Sequence, residues 1–408
     1  MRPDNNKKVN FSKIRKILVQ GDTAIGSFIL RDTTKKKTFI EKLLTFVLPS
    51  YIIIAVIFIV TTVLVNNFEL MYAIISISTL LSVFGLTITI RKFHQNKLLL
   101  RSLFKWCENL YDVKTHFHET LQGTAKQHLN KIEEKTYKTL KWLRMILYFD
   151  ATAVSLGYAI IGCFLPDHIY PKYSAPLPFY LPFTHQNTPL SCIVTLTMQF
   201  IVSIQAATAT FYIFSAFFCI VNHVLGLFDI IISSIKLLKI EILSQATHLK
   251  KKDSTLPIAE WIKILSDMIN DGNSIVTSFN GIYSLTFFIL EIAAIGALFI
   301  SGLLFTIVHQ QYCFAFGFTA VAFFLFVVCH INEKILNKID VISYALYDIP
   351  WYMLNIKDQK MILILINCDK IQPGFTALGV HSLNMRSFAV VLKAAYSNLI
   401  ILKDLVQN

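Results

Sequence analysis

Two apolar runs, Leu43–Val65 and Phe68–Ile90, stand back to back with only Asn66 and Asn67 between them. A hydrocarbon core takes about 20 apolar residues as helix. In lipid every backbone N–H and C=O must be satisfied within the segment, so a lone run of this kind has to be helical. The pair therefore reads as a transmembrane helical hairpin. Five further runs follow: Met145–Leu165, Leu190–Val221, Ile282–Val308, Phe314–His330 and about Leu383–Leu402. The fourth is longer than a bilayer requires. The last is the least apolar, because Lys393 and the triplet Tyr396-Ser397-Asn398 interrupt it. Composition agrees with a polytopic membrane chain. Hydrophobic residues make up 54% and charged residues 15%, and mean hydropathy is +0.56. A soluble protein of 408 residues could not cover that much apolar side chain.

The basic residues orient the spans, since Lys and Arg near span ends stay cytosolic. The arm 1–42, the loop 91–144, the loop 222–273 and the segment 332–385 together hold 34 of the 38 Lys and Arg. On the opposite side are Lys172 and Lys403, while Arg386 and Lys393 belong to the last helix. The expectation is seven spans, with the N-terminus cytosolic and the C-terminus extracellular. The net charge of +13 is then a topological signal, and no nucleic-acid partner is expected. The orientation also opposes a G-protein-coupled receptor, and Asp-Arg-Tyr after the third span and Asn-Pro-x-x-Tyr in the seventh are both missing. The first 30 residues are polar and basic, so the first span is expected to serve as the insertion signal. The triplet Asn10-Phe11-Ser12 falls on the cytosolic side and should carry no glycan.

The connections differ in character. Residues 166–189 hold six prolines in 24 positions, which blocks helix and reads as a semi-rigid extracellular loop. Residues 93–144 look like a solvated helix running into the third span. Residues 222–273 look helical and amphipathic, broken by Leu249-Lys-Lys-Lys-Asp-Ser254. No internal repeat, catalytic constellation or cofactor motif is present: G-x-S-x-G, H-E-x-x-H and Walker patterns are missing. The seven cysteines form no CxxC pair. Cys163 and Cys192 flank the proline-rich loop on the oxidising side, so they are either bridged or free thiols. His116 and His118 read as solvated residues of a polar helix. No enzyme, metal or cofactor is expected.

Between the sixth and seventh spans the chain reads CHINEKILNKIDVISYALYDIPWY, from Cys329 to Tyr352. That stretch and the one after it resemble the C-terminal signature of insect odorant receptors. Cys329, Glu333, Ser343, Ala345, Tyr347, Trp351, Phe388, Tyr396 and Ser397 match, while Asn332 stands where the family usually has Gly. The loop segment PLPFYLPF is similar to the family as well. Related gustatory receptors end in Thr-Tyr-x5-Gln-Phe, which this chain lacks. The resemblance implies an all-α, seven-helix channel fold and a divergent odour-tuning subunit rather than the shared co-receptor. It implies a ligand-gated, non-selective cation channel in the plasma membrane of olfactory sensory neurons. That channel is a hetero-tetramer with the odorant receptor co-receptor, surrounded by membrane lipid. The chain then divides into an N-terminal arm (1–42), six spans with their loops (43–330), a cytosolic anchor segment (331–385), and a pore-lining last helix with its tail (386–408). The alternatives are a gustatory-type channel, a polytopic transporter, for which inverted repeats would be expected, or a receptor signalling through a partner.

The resemblance also places the sites. The last helix should line the pore, and on a 3.6-residue period Arg386, Lys393, Ser397, Ile400 and Asp404 share one face. Phe388, Leu392, Ala395, Leu399 and Leu402 form an apolar one. Lys393, Ser397, Ile400 and Asp404 are the pore candidates, with Ile400 at the hydrophobic constriction. A small volatile odorant should bind in the outer half of the bundle. Candidates there are Tyr72, Ser76, Val154, Tyr158, Met198, Gln199, Val202 and Phe316, because aromatic rings and a pliant Met enclose an apolar guest. The same residue types also serve as plain core packing. The intramembrane carboxylates Asp150 and Glu291 lie toward the cytosol, too deep for an outer pocket, and either neighbouring basic residues or the anchor could satisfy them.

Overall fold

The computed structural model describes residues 11–24, 56–57, 84–112, 119–246, 257–307, 312–368 and 374–407. Within these, the side chains of residues 23–24, 119–120, 150, 153–164, 189–192, 195, 245–246, 300–307, 312–320, 368, 399 and 402–407 lie outside the description. Its elements in chain order are α1 (Ser12–Ala24), α2 (residues 84–95), α3 (Lys97–Asn109), α4 (Glu119–Phe164), α5 (Pro189–Ala246), α6 (Ile258–Ile307) and α7 (Tyr312–Tyr347). A short 3-10 turn (Trp351–Met353) leads to α8 (Ile356–Cys368). A two-stranded antiparallel hairpin, β1 (Thr376–Ala377) and β2 (His381–Ser382), then leads to α9 (Met385–Gln407). Leu378 takes a left-handed φ of 51° and Gly379 one of 75° in the hairpin turn.

The third, fourth, fifth and sixth spans are each one part of a longer continuous helix. At 1.5 Å per residue, the 58 residues of α5 extend about 87 Å, far beyond a hydrocarbon core of about 30 Å. Residues 119–144, 222–246 and 258–273 therefore continue the spans as helix below the membrane. One expectation is corrected here. The stretch from Asn222 to Ile235 is not amphipathic in its setting, since no residue from Ala207 to Ile235 is exposed, whereas Lys236, Ile240 and Leu243 beyond it do reach the surface. Helix α5 runs through the middle of the bundle, with α4, α6, α7 and α1 packed around it. A helix surrounded on all sides must be apolar all round, and Ile220, Val221, Val224, Phe228, Ile230 and Ile231 meet that demand. Buried serines on it bond back to the helix, as Ser215 Oγ does to Tyr212 O at 2.9 Å and Ser234 Oγ to Ile230 O at 2.8 Å.

Gly226 marks the closest approach. A Cβ there would meet Ile132 Cδ1 of α4 at 1.8 Å. Part of the basic arm is also folded: Phe11, Ile14 and Leu18 recur at helical spacing and are buried against the bundle. Charge pairs fasten the lower ends of the helices. Lys239 Nζ lies 2.6 Å from Asp348 Oδ2, and Lys338 pairs with Asp229.

Candidate functional site

A cavity of about 240 Å³ opens between α2, α4, α5, α6 and α7. Its walls are almost wholly apolar, with Ile213, Phe214 and Phe217 from α5, Tyr283, Phe287 and Leu290 from α6, and Phe324 from α7. Three threonines supply the polar points. Thr89 Oγ1 donates to Gly85 O at 2.9 Å. Thr286 Oγ1 is buried and has no hydrogen-bond partner, which is costly unless a guest or water supplies one. Tyr283 is spent on structure, its hydroxyl donating to Ile213 O at 2.8 Å. The volume is on the scale of a small volatile molecule, and the lining has the apolar character of ligand sites.

This cavity lies deeper than the sequence places the odorant. Of the expected ligand residues, Tyr72 and Ser76 lie outside the described residues, as do the side chains of Val154, Tyr158 and Phe316. Met198 and Val202 are half-buried and Gln199 is buried. None of these three lines the cavity. From Val202 to Ile213 is about 16 Å along α5, so the outer positions and the cavity are separate places on one helix. The side chains of Cys163, Cys192, Asp150 and Asp404 are outside the description, as are residues His116 and His118.

The cavity floor connects to the last helix through aromatic rings. Phe217, Phe279 and Phe287 lie 6.0, 5.3 and 5.6 Å, centroid to centroid, from Phe375, at the start of the hairpin that feeds α9. Polar clamps hold that hairpin to α6 and α7. Asn280 Nδ2 donates to Thr376 Oγ1, and Thr376 N donates to Asn280 Oδ1, both at 2.9 Å. Asn332, the departure from the family pattern, is fully buried. It accepts from Phe375 N at 2.8 Å and donates to Leu383 O at 2.5 Å. Gly374, at φ +62°, leaves room for it, since a Cβ there would come within 2.6 Å of Asn332 Oδ1. Glu291 finds its partner in the hairpin: His381 Nε2 lies 3.1 Å from its carboxylate. This half-buried acid thus meets a hairpin histidine.

Helix α9 leans on α6 and α7 through Phe388, Val391 and Ala395, with Phe388 5.5 Å from Phe326. Lys393, Ser397 and Ile400 are all exposed. At 100° per residue they point to the side opposite that contact. The expected apolar face needs one correction. Leu392 is 41% exposed, so the packed side is centred on Val391 rather than on Leu392.

Sequence reading missed one cluster. Cys107 of α3 and Cys219 and His223 of α5 are fully buried, with ligand-type atoms within 4.8 Å of one another. The signal was a Cys and a His four apart on one helix face. The imidazole is already committed. Its Nδ1 faces Cys219 O at 2.6 Å and must carry the proton there, which leaves Nε2 to accept from the Tyr111 hydroxyl at 3.0 Å. Burial raises the Tyr111 phenol above its ordinary value, keeping it a donor. Burial likewise raises the Cys107 thiol. The cluster ties α3 to the central helix.

Comparison with known proteins settles the family. A family model described as "7tm Odorant receptor" matches residues 98–396, well over half of the chain. The chain belongs to the 7tm odorant receptor family. The fold agrees. The insect olfactory receptor OR5 from Machilis hrabei superposes with a TM-score of 0.70 at 14% identity, covering 96% of this chain and 97% of that one. The same receptor in complex with eugenol superposes with a TM-score of 0.67 at 13% identity, covering 97% of each chain. No curated protein matches the sequence. The odorant receptor is thus an all-α, multi-pass membrane protein, a chemoreceptor of olfaction and not an enzyme.

Proposed function

We propose that this odorant receptor is the odour-tuning subunit of a ligand-gated, non-selective cation channel. It assembles with the odorant receptor co-receptor as a hetero-tetramer in the plasma membrane of olfactory sensory neurons. The observation that carries the reading is the placement of α9. Its stripe of Lys393, Ser397 and Ile400 faces away from its own bundle, where a pore shared between subunits would lie. Asp404 continues that stripe by period. Ile400 supplies the apolar constriction, which gates by dewetting when four such side chains converge.

The ligand is a small apolar volatile held inside this chain's own bundle, and the eugenol complex of the Machilis hrabei receptor supports that class. The geometry favours the described cavity as its seat, with the unpartnered Thr286 hydroxyl as the orienting group. A second seat lies in the outer half, at Met198, Gln199 and Val202 with Tyr72, Ser76, Val154, Tyr158 and Phe316. It is favoured by the half-burial of Met198 and Val202 beside buried Gln199. From either seat, repacking of Phe217 and Phe287 reaches Phe375 and so α9.

The test is co-expression with the co-receptor and whole-cell recording across an odour panel. An odour-evoked cation current is expected, and its absence across a broad panel sinks the channel reading. Thr286→Val should then shift the dose-response if the cavity is the seat, and Met198→Ala if the outer site is. Neither shifting would remove both seats.

A further inference from the structure

A second concavity, of about 650 Å³, lies on the flank of the receptor between α4 and α7, with Phe218 of α5 at its base. It has two unlike ends. Toward the outer side its walls are Trp142, Ile146 and Phe323, all more than half exposed although they are large and apolar. Toward the cytosol they are Lys131, Lys135 and Lys138. Lys138 is matched by Glu134 at 2.6 Å, one turn away. Across the groove on α7, Lys338 is matched by Asp229. Lys131, Lys135 and Lys334 form no ion pair among the described residues. Burial and the nearby Lys334, Lys131 and Lys338 hold Lys135 below the ordinary lysine value, with Asp229 opposing.

Helix α4 enters the membrane at about Met145, so the change from lysine to Trp142 and Ile146 falls at the cytosolic interface. Trp is favoured at that depth, and the inner leaflet is the anionic one. From Lys135 to Ile146 is about 16 Å of helix, which spans a head group and the start of its acyl chains. A polypeptide partner from the cytosol would fit the lysines but leave the Trp142–Phe323 end facing lipid.

We infer that this groove is a binding site for an inner-leaflet anionic phospholipid. Its phosphate sits among Lys131, Lys135 and Lys334, and its acyl chains lie along Trp142, Ile146 and Phe323. The site is separate from the odorant cavity, and lipid binding can be read without any odour response.

The full-length receptor, reconstituted in phosphatidylcholine nanodiscs doped with phosphatidylserine or phosphatidylinositol bisphosphate, is released into native mass spectrometry. The wild type should retain the anionic lipid several-fold over phosphatidylcholine. A Lys131→Gln/Lys135→Gln/Lys334→Gln variant should lose that preference, and a Lys357→Gln/Lys360→Gln control should keep it. Trp142→Ala/Phe323→Ala should lower total bound lipid with the head-group preference unchanged. Equal anionic retention by the triple variant and the wild type overturns the site. So does crosslinking of a photoreactive residue at position 323 to another protein subunit rather than to lipid.

Discussion

Two helices of this receptor are similar in being apolar yet polar-punctuated, and the bundle treats them oppositely. Between Ala207 and Ile235, α5 has no exposed residue. Between Met385 and Ile401, α9 touches its neighbours along one narrow side and leaves Val390, Tyr396 and Ile401 more than half exposed. In α5 the polar groups are met inside the subunit, Ser215 and Ser234 by their own helix and His223 and Asp229 by Tyr111 and Lys338. In α9 they face outward. An isolated hydropathy trace cannot separate the two cases, because it records how apolar a helix is and not how many sides are covered. The difference teaches that α5 is the enclosed spine of the bundle, whereas α9 keeps one face uncovered by it.

The comparison can be broken most forcefully at the spine. Phe217→Ala removes a ring packed against Tyr283, Phe287 and Phe375. It should cost about 3–5 kcal/mol, read as lost surface expression and a lower melting temperature of the purified receptor. Gly226→Val should cost about 1–3 kcal/mol by driving a Cβ into Ile132, with Ile132→Ala expected to restore part of the loss. Wild-type stability in either variant would mean that α5 is not tightly enclosed.

A middle effect is expected where the two regions meet. Asn332→Leu leaves Phe375 N and Leu383 O without their partner. An unsatisfied buried group costs about 1–3 kcal/mol. Because those atoms fix the base of α9, resting current should change as well as thermal stability. An unchanged resting current would uncouple the hairpin from the pore.

The smallest stability effects belong to α9. Lys393→Ala and Ser397→Ala should each stay within about 0.5 kcal/mol, as exposed substitutions do, while rectification or ion selectivity shifts. A permeation profile identical to the wild type would move the pore elsewhere. The cysteine cluster offers a chemical contrast. Burial raises the Cys107 thiol, so its reactive thiolate is scarce at neutral pH. Maleimide should label Cys107 only after denaturation, and labelling of the native receptor would show that α3 is not docked.

Much of this was legible in the chain itself. Run lengths near 20 residues, the lysine asymmetry and the Cys329-to-Ser397 pattern carry the membrane class, the orientation and the family, because each is local and additive along the sequence. The stripe of Lys393, Ser397 and Ile400 was readable too, since helical period alone sets it. Burial of Asn222 to Ile235 on every side was not readable, because it depends on helices more than 70 residues away, such as α4 at Ile132 and α7 at Lys338. Nor were the clamps by Asn280 and Asn332, the Glu291–His381 pair, or the meeting of Cys107 with His223, each joining residues about 50 to 120 positions apart. Side-chain chemistry prescribes what a residue needs. Only packing of the helices decides which distant atom supplies it, and which face of α9 stays uncovered.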